Sequence, residues 1–123
     1  MMTQEELLFF SGHPEALALY TLLKEGLLQR YPDTLFLPAK TQISLKNAFV
    51  FGAASLPRSK NRKGLMLTLG LPSLLDSPRV QHASQPCPGR WTHHIFLKSP
   101  DEVDGEIWSW LDAAICFARK KHR

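Results

Sequence analysis

Leu65, Leu67, Leu69 and Leu71 alternate with Met66, Thr68 and Gly70, and Trp91, His93, Ile95 and Leu97 alternate with Thr92, His94, Phe96 and Lys98. A period of two predicts strands with two chemically different faces. Elsewhere the apolar residues recur every three to four positions, the spacing of one helical face. Ala16, Leu19, Tyr20, Leu23, Leu27 and Tyr31 form one such stripe; Val103, Ile107, Trp110, Leu111, Ala114, Phe117 and Ala118 form another.

Polar residues mark where these elements begin and end. Thr3 with Glu6 is a capping box opening a short helix through about Phe10, closed by Ser11-Gly12. Pro14, tolerated at a first helical position, starts a second helix that runs to about Arg30. Leu17, Leu22 and Leu28 widen its apolar face, so it is covered on more than one side or contributes to a homodimer contact. Ser99-Pro100-Asp101-Glu102 is a second capping box and predicts a C-terminal helix from Pro100 to about Lys120. On that helix Trp108 lies at the edge of the stripe and Cys116 nearly opposite its centre. Both are partly shielded surface residues or they mark a partner-binding edge.

Between the helices the composition is that of strands. Thr34 to Leu37 is short; Thr41, Ile43 and Leu45 alternate with Lys40, Gln42, Ser44 and Lys46; Ala48 to Ala54 is nearly all apolar, with Asn47 placed for a tight turn before it. The basic loop Pro57 to Gly64 leads to Leu65 to Leu71, which reads as a central strand. Pro72 to Pro78 is a loop, Arg79 to Ala83 an edge strand, and Gln85 to Gly89 a turn whose prolines bar a continuing ladder. Strands bracketed by helices predict an α+β domain over residues 1–123, with a mainly antiparallel sheet of about five strands covered by the N-terminal helices and one C-terminal helix.

A chain of 123 residues buries about two thirds of the surface it exposes when unfolded and needs no staple. Cys87 and Cys116 are too few for a disulfide framework and read as free thiols. The N-terminus is acidic before it is apolar, unlike a signal peptide, and no apolar run reaches the length of a membrane span, so the expected location is the cytoplasm. The net charge is +4. Arg58, Lys60, Arg62 and Lys63 fall in one loop and Arg119, Lys120, Lys121 and Arg123 in the tail; without these eight, seven bases remain against eleven acids. Bases in a loop and a helix C-terminus, rather than along one face, argue against nucleic acid as a partner.

Three polar groups are candidates for a shared site. Lys40, Gln42 and Ser44 lie on one strand, Arg79 opens another, and Arg90 precedes the His93-His94 pair on the last. Lined up in one groove they suit a carboxylate or phosphate, with Arg giving planar bidentate contacts; otherwise the Lys40, Gln42, Ser44 face is the wet side of an antiparallel sheet. Adjacent histidines on a strand point to opposite faces. His93 shares its side with apolar residues and reads as a core histidine, whereas His94 beside Thr92 and Lys98 is the better acid or base. No metal-ligand spacing, nucleophile elbow or phosphate-cradling glycine loop occurs, so neither a metal nor another cofactor is expected.

The segments LYTLLKE, KTQISLKNAFVFGAAS, LTLGL with SPRV, and RWTHHIFLKSPDEVDGEIWSWLDAA resemble, in that order, a widespread group of small bacterial proteins classed as a domain of unknown function. Some of that group carry the label "predicted transport protein". The resemblance runs from Phe9 to Ala118, and it implies a soluble accessory module with Lys40, Gln42, Ser44, Arg79, Arg90, His93 and His94 as the residues to test. The expected function is binding of a small anion or a protein partner. An enzyme using His94 as acid or base, or nucleic-acid contact through the basic loop and tail, are the alternatives.

Overall fold

The computed structural model describes residues 2–57 and 62–121. Arg58 and Lys60 of the basic loop and Arg123 of the tail lie outside them. Helices α1 (Gln4–Phe9) and α2 (Pro14–Arg30) come first, then β1 (Leu35–Pro38), β2 (Ile43–Asn47), β3 (Phe49–Ser55), β4 (Leu65–Leu71), β5 (Val80–Cys87) and β6 (Arg90–Leu97). A 3-10 turn over Pro100–Glu102 precedes α3 (Gly105–Lys121). The strands form one six-stranded antiparallel sheet in the order β1-β2-β3-β4-β6-β5. Among the described residues, no helix is long and apolar enough to cross a membrane.

The α+β reading from the sequence holds, and the alternation explains it. Leu65, Leu67, Leu69 and Leu71 are all buried, as are Ile43 and Leu45 on β2 and His93, Ile95 and Leu97 on β6. Pairing of Leu67 with Ile95 and with Ala54, and of Ala54 with Ile43, puts these residues on one face of the sheet. All three helices lie on that face: Leu19, Leu23 and Leu27 of α2 and Ile107, Leu111 and Ala114 of α3 join the same core. Between β2 and β3 the register slips after Leu45, leaving Phe51 without a cross-strand partner and free to send its ring into the core. The two long helices touch where α2 has no side chain. A Cβ on Gly26 would come within 2.3 Å of the Trp108 ring, so the indole occupies the space that glycine leaves.

Three sequence expectations are corrected. Asn47 is the last residue of β2 rather than a turn; it is buried, its amide donates to Thr34 Oγ1, and its Oδ1 accepts from Arg119. Ala48, at φ 63°, makes the turn instead. Pro86 does not end the ladder, because β5 is an edge strand irregular between Ser84 and Cys87, where a missing N–H costs nothing. The Ser99–Glu102 capping box closes only the 3-10 turn, and α3 starts afresh with Asp104 Oδ1 accepting from the Ile107 N–H.

Candidate functional site

The second face of the sheet has no helix on it. Cross-strand pairs align Leu37, Ser44, Ala53, Thr68, His94 and His82 in one row running across all six strands. Lys46 pairs with Val50 and Leu35 on one side of that row, and Thr92 with Gly70 and Ser84 next to it on the β6 side. The middle of this face is built from small or hydroxyl-bearing residues, Ser44, Ala53, Thr68 and Thr92, while Leu35, Leu37 and Val50 stand exposed toward its β1 side. Phe96, the large aromatic exception, is capped by the Arg62 guanidinium 4.0 Å above its ring.

His94 and its neighbours form the polar centre of the face. Its Nδ1 lies 3.0 Å from Thr68 Oγ1, and its ring stacks against that of His82 with centroids 5.8 Å apart and planes at 21°. Arg90 lies across Gly70: a Cβ there would stand 3.5 Å from Nε, so glycine lets the guanidinium rest on the sheet. Arg90 Nε is buried and, among the described residues, has no hydrogen-bond partner. The Thr68–His94 separation is that of a hydroxyl hydrogen-bonded to an imidazole. None of the six strands carries an aspartate or glutamate.

The structure separates the residues that the sequence nominated. Arg90 and His94 share the open face with Ser44, at opposite ends of a span of three strand spacings, roughly 14 Å. Lys40 and Gln42 are exposed in the turn ahead of β2, where the Gln42 carbonyl accepts from Ala39 N–H at 2.8 Å. Arg79 is committed elsewhere. Its Nη1 reaches Asp104 at 3.0 Å and Glu106 at 3.0 Å, and its Nη2 donates to the Glu102 carbonyl at 2.6 Å, so it ties β5 to the start of α3. His93 is fully buried on the helix side, where its Nε2 accepts from the Leu75 N–H at 3.0 Å, which requires the ring proton on Nδ1. Burial holds its pKa below the usual histidine value, against the opposing pull of the Leu69 and Trp91 backbone. Thr68, His82, Ser84, Thr92, Lys46 and Arg62 were not nominated; their signal is the strand alternation itself, once the strand order is known.

Two other places in the molecule combine burial or concavity with reactive side chains. Glu6 is buried under α1, accepting from Lys24 Nζ at 2.6 Å, from the Thr3 N–H at 2.8 Å and from the Tyr20 hydroxyl. Burial pushes its carboxyl up, but these donors outweigh it and the pKa is lowered, while burial and the Glu6 carboxylate push the Tyr20 hydroxyl up. All three side chains are closed to solvent and serve to dock α1 on α2. A shallow apolar groove of about 630 Å³ lies between α3 and the β5–β6 turn, lined by Pro88, Ala113, Cys116 and Phe117 among others. It borders α3, on the helix side, at the turn that leads into Arg90. Among the described residues no three histidine, cysteine or carboxylate side chains stand together as a metal set.

No curated protein and no solved structure matches the chain. Residues 8–117 match the model of a family described as a domain of unknown function, DUF5655. That match spans nearly all of the fold, from the end of α1 to the last turns of α3, and the chain belongs to the DUF5655 family.

Proposed function

We propose that this domain is a binding module that takes an anionic ligand on the open face of its sheet, against Arg90, His94 and Thr68. The observation that carries the reading is the distribution of charge. No carboxylate occurs on any strand, whereas Lys46, Arg90 and both imidazoles of the His82–His94 pair stand on the uncovered face. An anion there meets donors and no competing negative charge, and the guanidinium is already desolvated on one edge, which strengthens a charge-assisted bond. The hydroxyls of Thr68 and Thr92 add neutral donors at the same height above the sheet.

The test is a thermal-shift titration with inorganic phosphate and with small dicarboxylates. Binding to the native state alone raises Tm with ligand concentration. The parent protein is expected to shift by several degrees at saturating ligand, and Arg90→Met to shift not at all. A parent that fails to respond to any anion, or a response that survives in Arg90→Met, refutes the reading.

A further inference from the structure

Charge in this molecule is sorted by layer. Residues 35–98, the sheet and its connections, hold nine lysines and arginines against one acid, Asp76, while residues 2–34 and 99–121, the helical layer, hold five against ten. Counting by loop and tail hides this asymmetry. The cations of the sheet layer are also largely unspent: among the described residues, Lys46, Arg62 and Arg90 make no ion pair, whereas Lys24, Arg30, Lys63 and Arg79 each face a carboxylate. The unspent charges are far apart. Lys46 lies on β2 and Arg90 on β6, and Arg62 sits over Phe96 toward the opposite end of β6 from Arg90.

A single phosphate or carboxylate touches one of those positions. A chain of phosphates is long enough to reach more than one, crossing a floor of Ser44, Ala53, Thr68 and Thr92 past the exposed Val50 beside Lys46. Flat groups are present as well. The stacked His82–His94 rings and the Arg90 guanidinium lying on Gly70 are planar surfaces of the kind on which unpaired bases stack. A duplex would need an element protruding into a groove, and this face has none; an acidic peptide would use the charges but leave the planar groups idle. Resting on the anion-binding reading above, we infer that the ligand is single-stranded nucleic acid, laid across the strands from Lys46 to Arg90.

The experiment is fluorescence anisotropy of the whole chain with a labelled oligothymidylate of about ten nucleotides, a length within the usual range for such sites. Inorganic phosphate is titrated in parallel. With about three phosphates neutralised, the affinity should fall roughly twentyfold between 50 and 200 mM salt, a readout that needs no variant. Lys46→Ala should reduce that salt slope by about 0.7 and weaken the oligonucleotide, leaving phosphate unaffected because Arg90 is intact. An oligonucleotide that binds no tighter than phosphate, or that ignores Lys46→Ala and salt, overturns this inference while the anion-binding reading survives. A polyglutamate peptide that binds as well as the oligonucleotide overturns it in favour of an acidic partner. If neither phosphate nor oligonucleotide binds, both readings fall together.

Discussion

His93 and His94 are consecutive residues with the same side chain, and the pleat gives them opposite environments. His93 is fully buried among leucines, bonded to one backbone N–H and kept neutral by burial. His94 stands half-exposed among hydroxyls and a second imidazole. The same division runs through the whole sheet. The helix-covered face is rich in leucine, isoleucine and alanine, where packing determines stability; the middle of the open face is small, polar and basic, where fewer side chains are packed. A sheet of this kind can change what it binds without changing what holds it together.

Substitutions on the two sides should differ sharply in cost. The largest effect is expected at Lys24→Met, which leaves the Glu6 carboxylate buried and uncompensated and should cost about 3–5 kcal/mol in urea unfolding. Adding Glu6→Gln to that variant should recover part of the loss. Leu67→Ala, in the centre of β4, should cost about 2–5 kcal/mol, whereas its neighbour Thr68→Ala on the open face should cost about 1 kcal/mol, the value of one hydrogen bond. Equal losses at positions 67 and 68 would show that the second face is covered too.

A smaller effect separates the histidines by pH. The folded protein disfavours protonated His93, while the unfolded chain accepts a proton near the ordinary value of 6.5. The unfolded state therefore binds more protons as pH falls below that value, and stability should decline there, before the window near 4.5 in which the lowered Glu6 carboxyl begins to contribute in the same direction. His93→Leu should flatten the decline between pH 7.5 and 5.5, at a cost of about 1–3 kcal/mol for the unpaired Leu75 N–H. The smallest effect is expected at Arg90→Met, within about 0.5 kcal/mol of the parent in stability although it removes the proposed anion response.

The layers were legible in the sequence because each rests on a local pattern. Four alternating leucines make one buried face, and the Thr3–Glu6 capping box places the start of α1, whereas the Ser99–Glu102 box marks only the turn ahead of α3. The departures have local physical causes that a pattern does not expose. Asn47 belongs to a strand because Thr34 and Arg119, distant in sequence, satisfy its amide. Of the proposed site, the alternation of a single strand puts Arg90 and His94 on one face, but Thr68 and His82 become their neighbours only because β6 inserts between β4 and β5, and no periodicity announces strand order. Arg79 stands apart from that face, since its partners are the acids that open α3.

That insertion has a consequence for how the chain must be assembled. The first four strands form a meander in which each pairs with the one just made, so they can zip up from local contacts. The leucine strand β4 is then a bare apolar edge until the β5–β6 hairpin swings in and lays the last strand of the sequence against it. A nascent chain that has emerged only as far as Gly89 presents that edge unpaired, with Leu65 to Leu71 in the arrangement that recruits other chains. The interval between emergence of β4 and pairing of β6, Arg90–Leu97, is thus the one in which the apolar edge is open to other chains, and rapid closure of the hairpin ends it.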